Sequence, residues 1–186
     1  AAYNVVFNGS SNTIAGATTF SNTGTVTLGD GGDTTAFTGG VTITAPSQVN
    51  IGGTVQATNS AISIGDSGTP IVLTANSTIS GNTSGNITLG GTINGAYTLD
   101  VNTTGTTTFS GVIGGSTPLT SVTTNTGGTV AINTTAITTT GAQTFNENVT
   151  LGSDLTLTSN SSGNITFGGT IESTSSARAL TVNTSG

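Results

Sequence analysis

The chain has 186 residues, a net charge of −6, seven acidic and one basic side chain, no His and no Cys, with only 4% charged residues, against about 25% in ordinary soluble domains. Zero Cys excludes disulfides, thiolate chemistry and Cys-ligated metals. A lone Arg178 builds no phosphate-contacting patch, so nucleic acid is not an expected partner, and no apolar run approaches the roughly 18 residues of a membrane span, so no membrane insertion is expected.

The chain opens on Ala1-Ala2-Tyr3 without an initiator Met, which predicts that an N-terminal segment was removed or lies outside this sequence. From there, short alternating runs follow one another. They include Val41-Thr42-Ile43, Ala61-Ile62-Ser63-Ile64, Ile71-Val72-Leu73, Tyr97-Thr98-Leu99-Asp100-Val101, Leu155-Thr156-Leu157 and Leu180-Thr181-Val182. Period-2 alternation puts Val, Ile or Leu on one face of a strand and Thr or Ser on the other. Gly, Asn and Ser separate the runs and suit tight corners. No helical periodicity of useful length is present, and strong helix formers are scarce.

The strands repeat. Gly-Gly-Thr-Val/Ile occurs at Gly52, Gly90, Gly127 and Gly168, with intervals 90 − 52 = 38, 127 − 90 = 37 and 168 − 127 = 41. Ser84-Gly85-Asn86-Ile87-Thr88-Leu89-Gly90-Gly91-Thr92-Ile93 returns as Ser162-Gly163-Asn164-Ile165-Thr166-Phe167-Gly168-Gly169-Thr170-Ile171, 162 − 84 = 78 residues later. Leu99-Asp100-Val101-Asn102 then matches Leu180-Thr181-Val182-Asn183 at an offset of 180 − 99 = 81. Three extra residues between Glu172 and Ala179 therefore belong in a corner loop. A second pair of echoes joins Gly16-Ala17-Thr18-Thr19-Phe20 to Gly141-Ala142-Gln143-Thr144-Phe145, and Val26-Thr27-Leu28-Gly29 to Val149-Thr150-Leu151-Gly152.

Half of the 38-residue interval is one turn of a parallel β-helix. The expected fold is thus all-β: one continuous solenoid over residues 1–186, about 19–20 residues and three short strands per coil. On that reading the Gly-Gly-Thr copies stack two coils apart, with Gly90 and Gly127 within about 10 Å. Ile87, Leu89, Ile165 and Phe167 point inward, and Thr88 and Thr166 outward. The competing fold, a sandwich of hairpins, finds Asn-Gly turns only at Asn8-Gly9 and Asn94-Gly95.

The phrases Ser162–Ile171, Leu180-Thr181-Val182-Asn183-Thr184-Ser185-Gly186 and Thr139-Thr140-Gly141-Ala142-Gln143-Thr144-Phe145 resemble the repeats of filamentous-haemagglutinin-like exoproteins and autotransporter passengers. The resemblance is strong over residues 84–186 and loose before them. It implies a right-handed parallel β-helix, secretion to the bacterial cell surface, and a role in adhesion or in an extracellular fibre, with no catalytic motif to carry over.

Candidate chemistry is sparse. The acids are Asp30, Asp33, Asp66, Asp100, Glu147, Asp154 and Glu172. They are spread over the chain without a His or Lys beside them, and solvated corner residues are the plain reading. Gly29-Asp30-Gly31-Gly32-Asp33 is the metal candidate, with Asp30 and Asp33 as calcium ligands; it loosely resembles the Asp- and Gly-containing repeats of calcium-binding β-rolls, although it occurs once. No other cofactor is expected. Thr-x-Thr triplets such as Thr42-Ile43-Thr44 and Thr106-Thr107-Thr108 raise ice binding, which needs one triplet per coil at constant phase. Ten Asn-x-Ser/Thr sequons occur, at Asn8, Asn76, Asn82, Asn86, Asn102, Asn133, Asn148, Asn160, Asn164 and Asn183; a structural use at corners is expected for several.

The expected function is therefore a structural or adhesive rod without enzymatic activity. It associates end to end or continues into further repeats, with a host or matrix glycan as the other partner class. The alternatives are an ice- or carbohydrate-binding module and a polysaccharide-degrading enzyme. Neither end carries an amphipathic cap, so the chain is expected to be a piece of a longer protein or a subunit covered by neighbours.

Overall fold

The computed structural model describes residues 2–184; Ala1, Ser185 and Gly186 lie outside the described residues. Among the described residues every regular element is a strand, all named strand pairs are parallel, and the one antiparallel contact is the isolated Asp66–Thr69 bridge within a corner turn. The architecture is a β-solenoid of about eight coils with roughly 22 residues per coil, three strands to a coil as expected. The period is longer than the expected 19–20 because corners differ in length, and excursions such as Gly65–Pro70 and Thr174–Ala179 add residues between strands.

Successive strands fall in turn on a first, second and third face. The second coil runs Thr25–Leu28 on the first, Asp33–Phe37 on the second and Val41–Ile43 on the third. On the first face Val5, Val26, Val49, Ile71, Ile93, Ile113, Ile137, Leu157 and Val182 stack as one inward ladder. The third face carries Phe20, Ile43, Ile64, Leu89, Phe109, Ile132 and Leu151. Each ladder places like side chains one strand spacing apart, about 4.8 Å, which suits apolar and hydroxyl groups and disfavours charges.

Ile87 and Leu89 are buried, and Ile165 and Phe167 pack half-buried on the core, with Thr88 and Thr166 on the opposite side as alternation requires. Phenylalanines close the first coils, where Phe7, Phe20 and Phe37 meet edge to face at 6.1–6.4 Å. Phe145 stacks on Phe167 at 5.5 Å further along.

The repeats do not stack as the sequence suggested. Gly90 lies at the corner from the third to the first face, between the strands Ile87–Leu89 and Ile93–Asn94. Gly127 lies at the corner from the second to the third face, between Ser121–Thr124 and Thr129–Ile132. Only the last two Gly-Gly-Thr copies share a corner, two coils apart through Thr129–Asn148 and Val149–Ile171.

The longer echo behaves the same way. Ile87–Leu89 is a third-face strand and its copy Ile165–Phe167 a second-face strand. Leu99–Asn102 is on the second face, and its copy Leu180–Asn183 on the first. Thr18–Phe20 and Gln143–Phe145, and Val26–Leu28 and Val149–Leu151, are displaced in the same sense. An offset of 78–81 residues is close to three and two-thirds coils of about 22 residues. The repeated unit is thus a strand with its corner, and the three faces accept it interchangeably.

Corners are held by asparagines. The Oδ1 atoms of Asn4, Asn76, Asn86 and Asn148 accept the backbone N–H of Thr25, Thr98, Thr106 and Thr170 in the following coil at 2.9–3.1 Å. Asn59 and Asn94 each accept two such N–H groups, from Thr83 and Ser84 and from Ser116 and Thr117. Three of these residues, Asn76, Asn86 and Asn148, belong to sequons, so their amides have the expected structural use.

Candidate functional site

The Gly29–Asp33 segment turns the chain from the first to the second face of the second coil, where the ladder to the next coil slips in register between Leu28 and Asp33. Gly29 and Gly32 have φ of +77° and +78°, a region that side-chain-bearing residues avoid. The segment rests on Gly52-Gly53 of the third coil. A Cβ on Gly53 would lie 2.4 Å from the Asp33 carbonyl oxygen, and one on Gly52 3.3 Å from the Gly29 carbonyl oxygen. This is the physical use of that Gly-Gly pair.

The turn brings the two expected calcium ligands together. Asp33, almost buried at 9% exposure, accepts the Asp30 N–H on Oδ2 at 3.0 Å. The Asp33 carboxylate beside Asp30, through hydrogen bonding and charge, holds the Asp30 carboxyl above the ordinary carboxylate range. Two carboxylates at one turn are hard oxygen donors of the type calcium takes. Among the described residues, no three His, Cys, Asp or Glu side chains gather in a metal-holding group.

The other acids are dispersed. Asp66 sits in the Gly65–Pro70 turn, its Oδ1 accepting the Gly68 N–H. Asp154 follows a third-face strand and accepts the Ala179 N–H across the next corner. Asp100 and Glu172 stand on second-face and third-face strands, outward in register with Thr78 and Thr150. Asp30 and Asp154, equivalent in the sequence repeat, are one face apart.

Glu147 departs from the expectation of a solvated corner. It is 3% exposed at the corner from the second to the third face of the seventh coil, between Gln143–Phe145 and Asn148–Leu151. A signal for this was in the sequence: in Phe145-Asn146-Glu147-Asn148-Val149-Thr150-Leu151, Glu147 is in phase with the inward Phe145, Val149 and Leu151.

Two hydroxyl columns run along the outside. On the second face Ser11, Thr34, Thr54, Thr78, Asp100, Thr123, Thr144 and Thr166 are in register. On the third face Thr19, Thr42, Ser63, Thr88, Thr108, Ala131, Thr150 and Glu172 are. Constant phase is thus met for one residue per coil. The triplet is not: beside Thr106 and Thr108 stand Asn86 and Thr88 in one neighbouring coil and Thr129 and Ala131 in the other.

No family model, no curated protein and no solved structure matches this chain.

Proposed function

We propose that the chain is a structural and adhesive β-solenoid, part of a fibre or adhesin stalk on a bacterial cell surface, without enzymatic activity. The observation that supports this reading is the inter-coil ladder. Parallel backbone bonding runs along the axis from Val5–Phe7 to Leu180–Thr184 on the first face, narrowing to isolated bridges at Ile113 and Leu119 in the sixth coil. Eight coils at strand spacing make a rod about 38 Å long. Further covalent coils or a second copy stacked head to tail extend the rod by the same bonds. The dispersal of the acids supports a non-catalytic role. The test is electron microscopy of the native material, joined to the molar mass in solution: rods of constant cross-section support the reading, and a globular, monodisperse particle with both end coils covered overturns it.

The hydroxyl columns favour a second reading, an ice- or carbohydrate-binding face, because they hold one phase over successive coils. Inhibition of ice recrystallisation, or retention on a neutral polysaccharide, that is lost when Thr54, Thr78 and Thr123 are replaced by Lys would move the assignment to that class.

A further inference from the structure

Among the described residues Glu147 is the most deeply buried carboxylate, and no basic side chain neutralises it. Glu147 is 3% exposed, and neither Oε1 nor Oε2 has a hydrogen bond of good geometry. The only Arg or Lys in the sequence is Arg178. It is exposed in the corner loop Thr174–Ala179, where its backbone N–H is bound to Ser173 Oγ. That corner is a full third-face strand away from Glu147.

The elements packed around Glu147 supply no other partner charge. Ser121–Thr124 and Thr129–Ile132 below it, Gln143–Phe145 and Asn148–Leu151 beside it, and Ile165–Phe167 above it hold no titratable side chain. Ile171–Ser173 holds Glu172, which stands in the outward column with Thr150. Asp154 lies at the far end of the third face, bound to Ala179 N. Burial dominates the Glu147 carboxyl and pushes its pKa up, against weaker help for the charged form from the nearby Thr124 hydroxyl and its own backbone.

The eighth coil rests on the backbone of the Glu147 corner. A Cβ on Gly169 would fall 2.7 Å from the Glu147 carbonyl carbon and 2.5 Å from Asn148 Oδ1, so bare backbone lies directly on this corner. Gly168 N–H to Phe145 O at 2.7 Å and Thr170 N–H to Asn148 Oδ1 at 3.0 Å flank it. An ionised carboxylate here has no counter-charge in the fold and is stabilised only by admitting water, which loosens the corner that the eighth coil rests on.

We propose that Glu147 is a proton-operated latch on the seam between the seventh and eighth coils. The seam is closed while the carboxyl is neutral and loosened when it ionises. The sign follows from linkage: a carboxyl whose folded pKa is raised stabilises the folded state fully below its ordinary value, and that contribution is lost as pH rises through the folded pKa. The rod therefore tightens in acid, whatever it adheres to.

The chain has only two glutamates, Glu147 and Glu172, so selective 13C labelling of Glu carboxyls gives two resonances, assigned by Glu172→Gln without touching the core. The Glu147 resonance should titrate at higher pH than that of Glu172. Across the same range, hydrogen-exchange protection factors at Gly168–Ile171 should fall while those at Ile62–Ile64 hold. Glu147→Gln should abolish that pH dependence; Glu147→Met serves if the amide variant folds poorly. Co-titration of the two glutamates, or protection at Gly168–Ile171 that is flat with pH, overturns the latch. So does recovery of acid-level protection at neutral pH on adding calcium chloride alone, since a cation would then be the neutralising partner.

Discussion

The second to fourth coils and the sixth and seventh share one backbone pattern and have different interiors. The former are filled by Leu28, Phe37, Ile43, Ile51, Val55, Ile64, Ile79 and Leu89, with Asp33, Thr35, Thr69 and Ser77 as the buried polar residues. The latter bury Thr124, Thr134, Thr139, Gln143 and Glu147 beside Val122, Val130, Ile132 and Phe145. The first-face ladder shows the change in one line: Phe7, Leu28, Ile51 and Leu73, and still Leu119 in the sixth coil, give way to Thr139 and Ser159 in the seventh and eighth. Gln143 settles part of its polarity by donating to Ile137 O, Thr139 Oγ1 and Thr158 O, but its Oε1, Thr134 Oγ1 and both Glu147 oxygens go unpaired. Main-chain bonds between coils therefore maintain register whatever fills the interior, while the side chains set how firmly each coil is held. Hydrogen exchange should accordingly be slower in the second to fourth coils than in the sixth and seventh, and equal protection would erase the comparison.

The largest effect should come from a charge in the apolar region. Ile64→Asp, at a site with 0% exposure, should cost more than about 4 kcal/mol. Ile165→Asp, at a half-buried site of the eighth coil, should cost about 2 kcal/mol. Denaturant titration of both decides it, and a neutral effect at Ile165 would refute its inward assignment.

Backbone close approach ranks next. Gly53→Ala puts a methyl 2.4 Å from Asp33 O at a φ of +110° and should cost about 2 kcal/mol. Gly16→Ala meets nothing within 4 Å and should leave the melting temperature unchanged or slightly raised.

In the polar region the sign reverses. Thr134→Val removes an unpaired buried hydroxyl and should stabilise by about 1 kcal/mol; a loss would reveal a partner for that hydroxyl.

The smallest effect belongs to the exposed Asp30 beside Asp33. Asp30 is raised by Asp33, so its favourable neutral form is fully populated below the ordinary value and lost as pH rises through the folded pKa. Asp30→Asn should raise the melting temperature at neutral pH and leave it unchanged in strong acid. If the pair takes calcium, millimolar calcium should raise the wild-type melting temperature and not that of Asp30→Asn.

Much of this was legible in the residues themselves. Alternation is local, set by the pleat of one strand, so Ile87, Leu89, Ile165 and Phe167 could be turned inward without knowing what they touch. The Gly- and Asn-rich breaks marked corners for the same reason. The lack of any counter-ion for a buried acid followed from counting one Arg and no Lys. Stacking is not local. Which strand lies on which depends on the number of strands between two phrases, and because corners vary in length a residue offset does not give that number. Because all three faces want the same alternation of apolar and hydroxyl side chains, Ser84–Ile93 and Ser162–Ile171 satisfy different faces equally well, and sequence identity does not imply spatial equivalence. Only the tertiary structure could decide that the coil takes about 22 residues, that Gly90 and Gly127 stand on different corners, that Asp30 and Asp33 meet over Gly52-Gly53, and that Glu147 is buried.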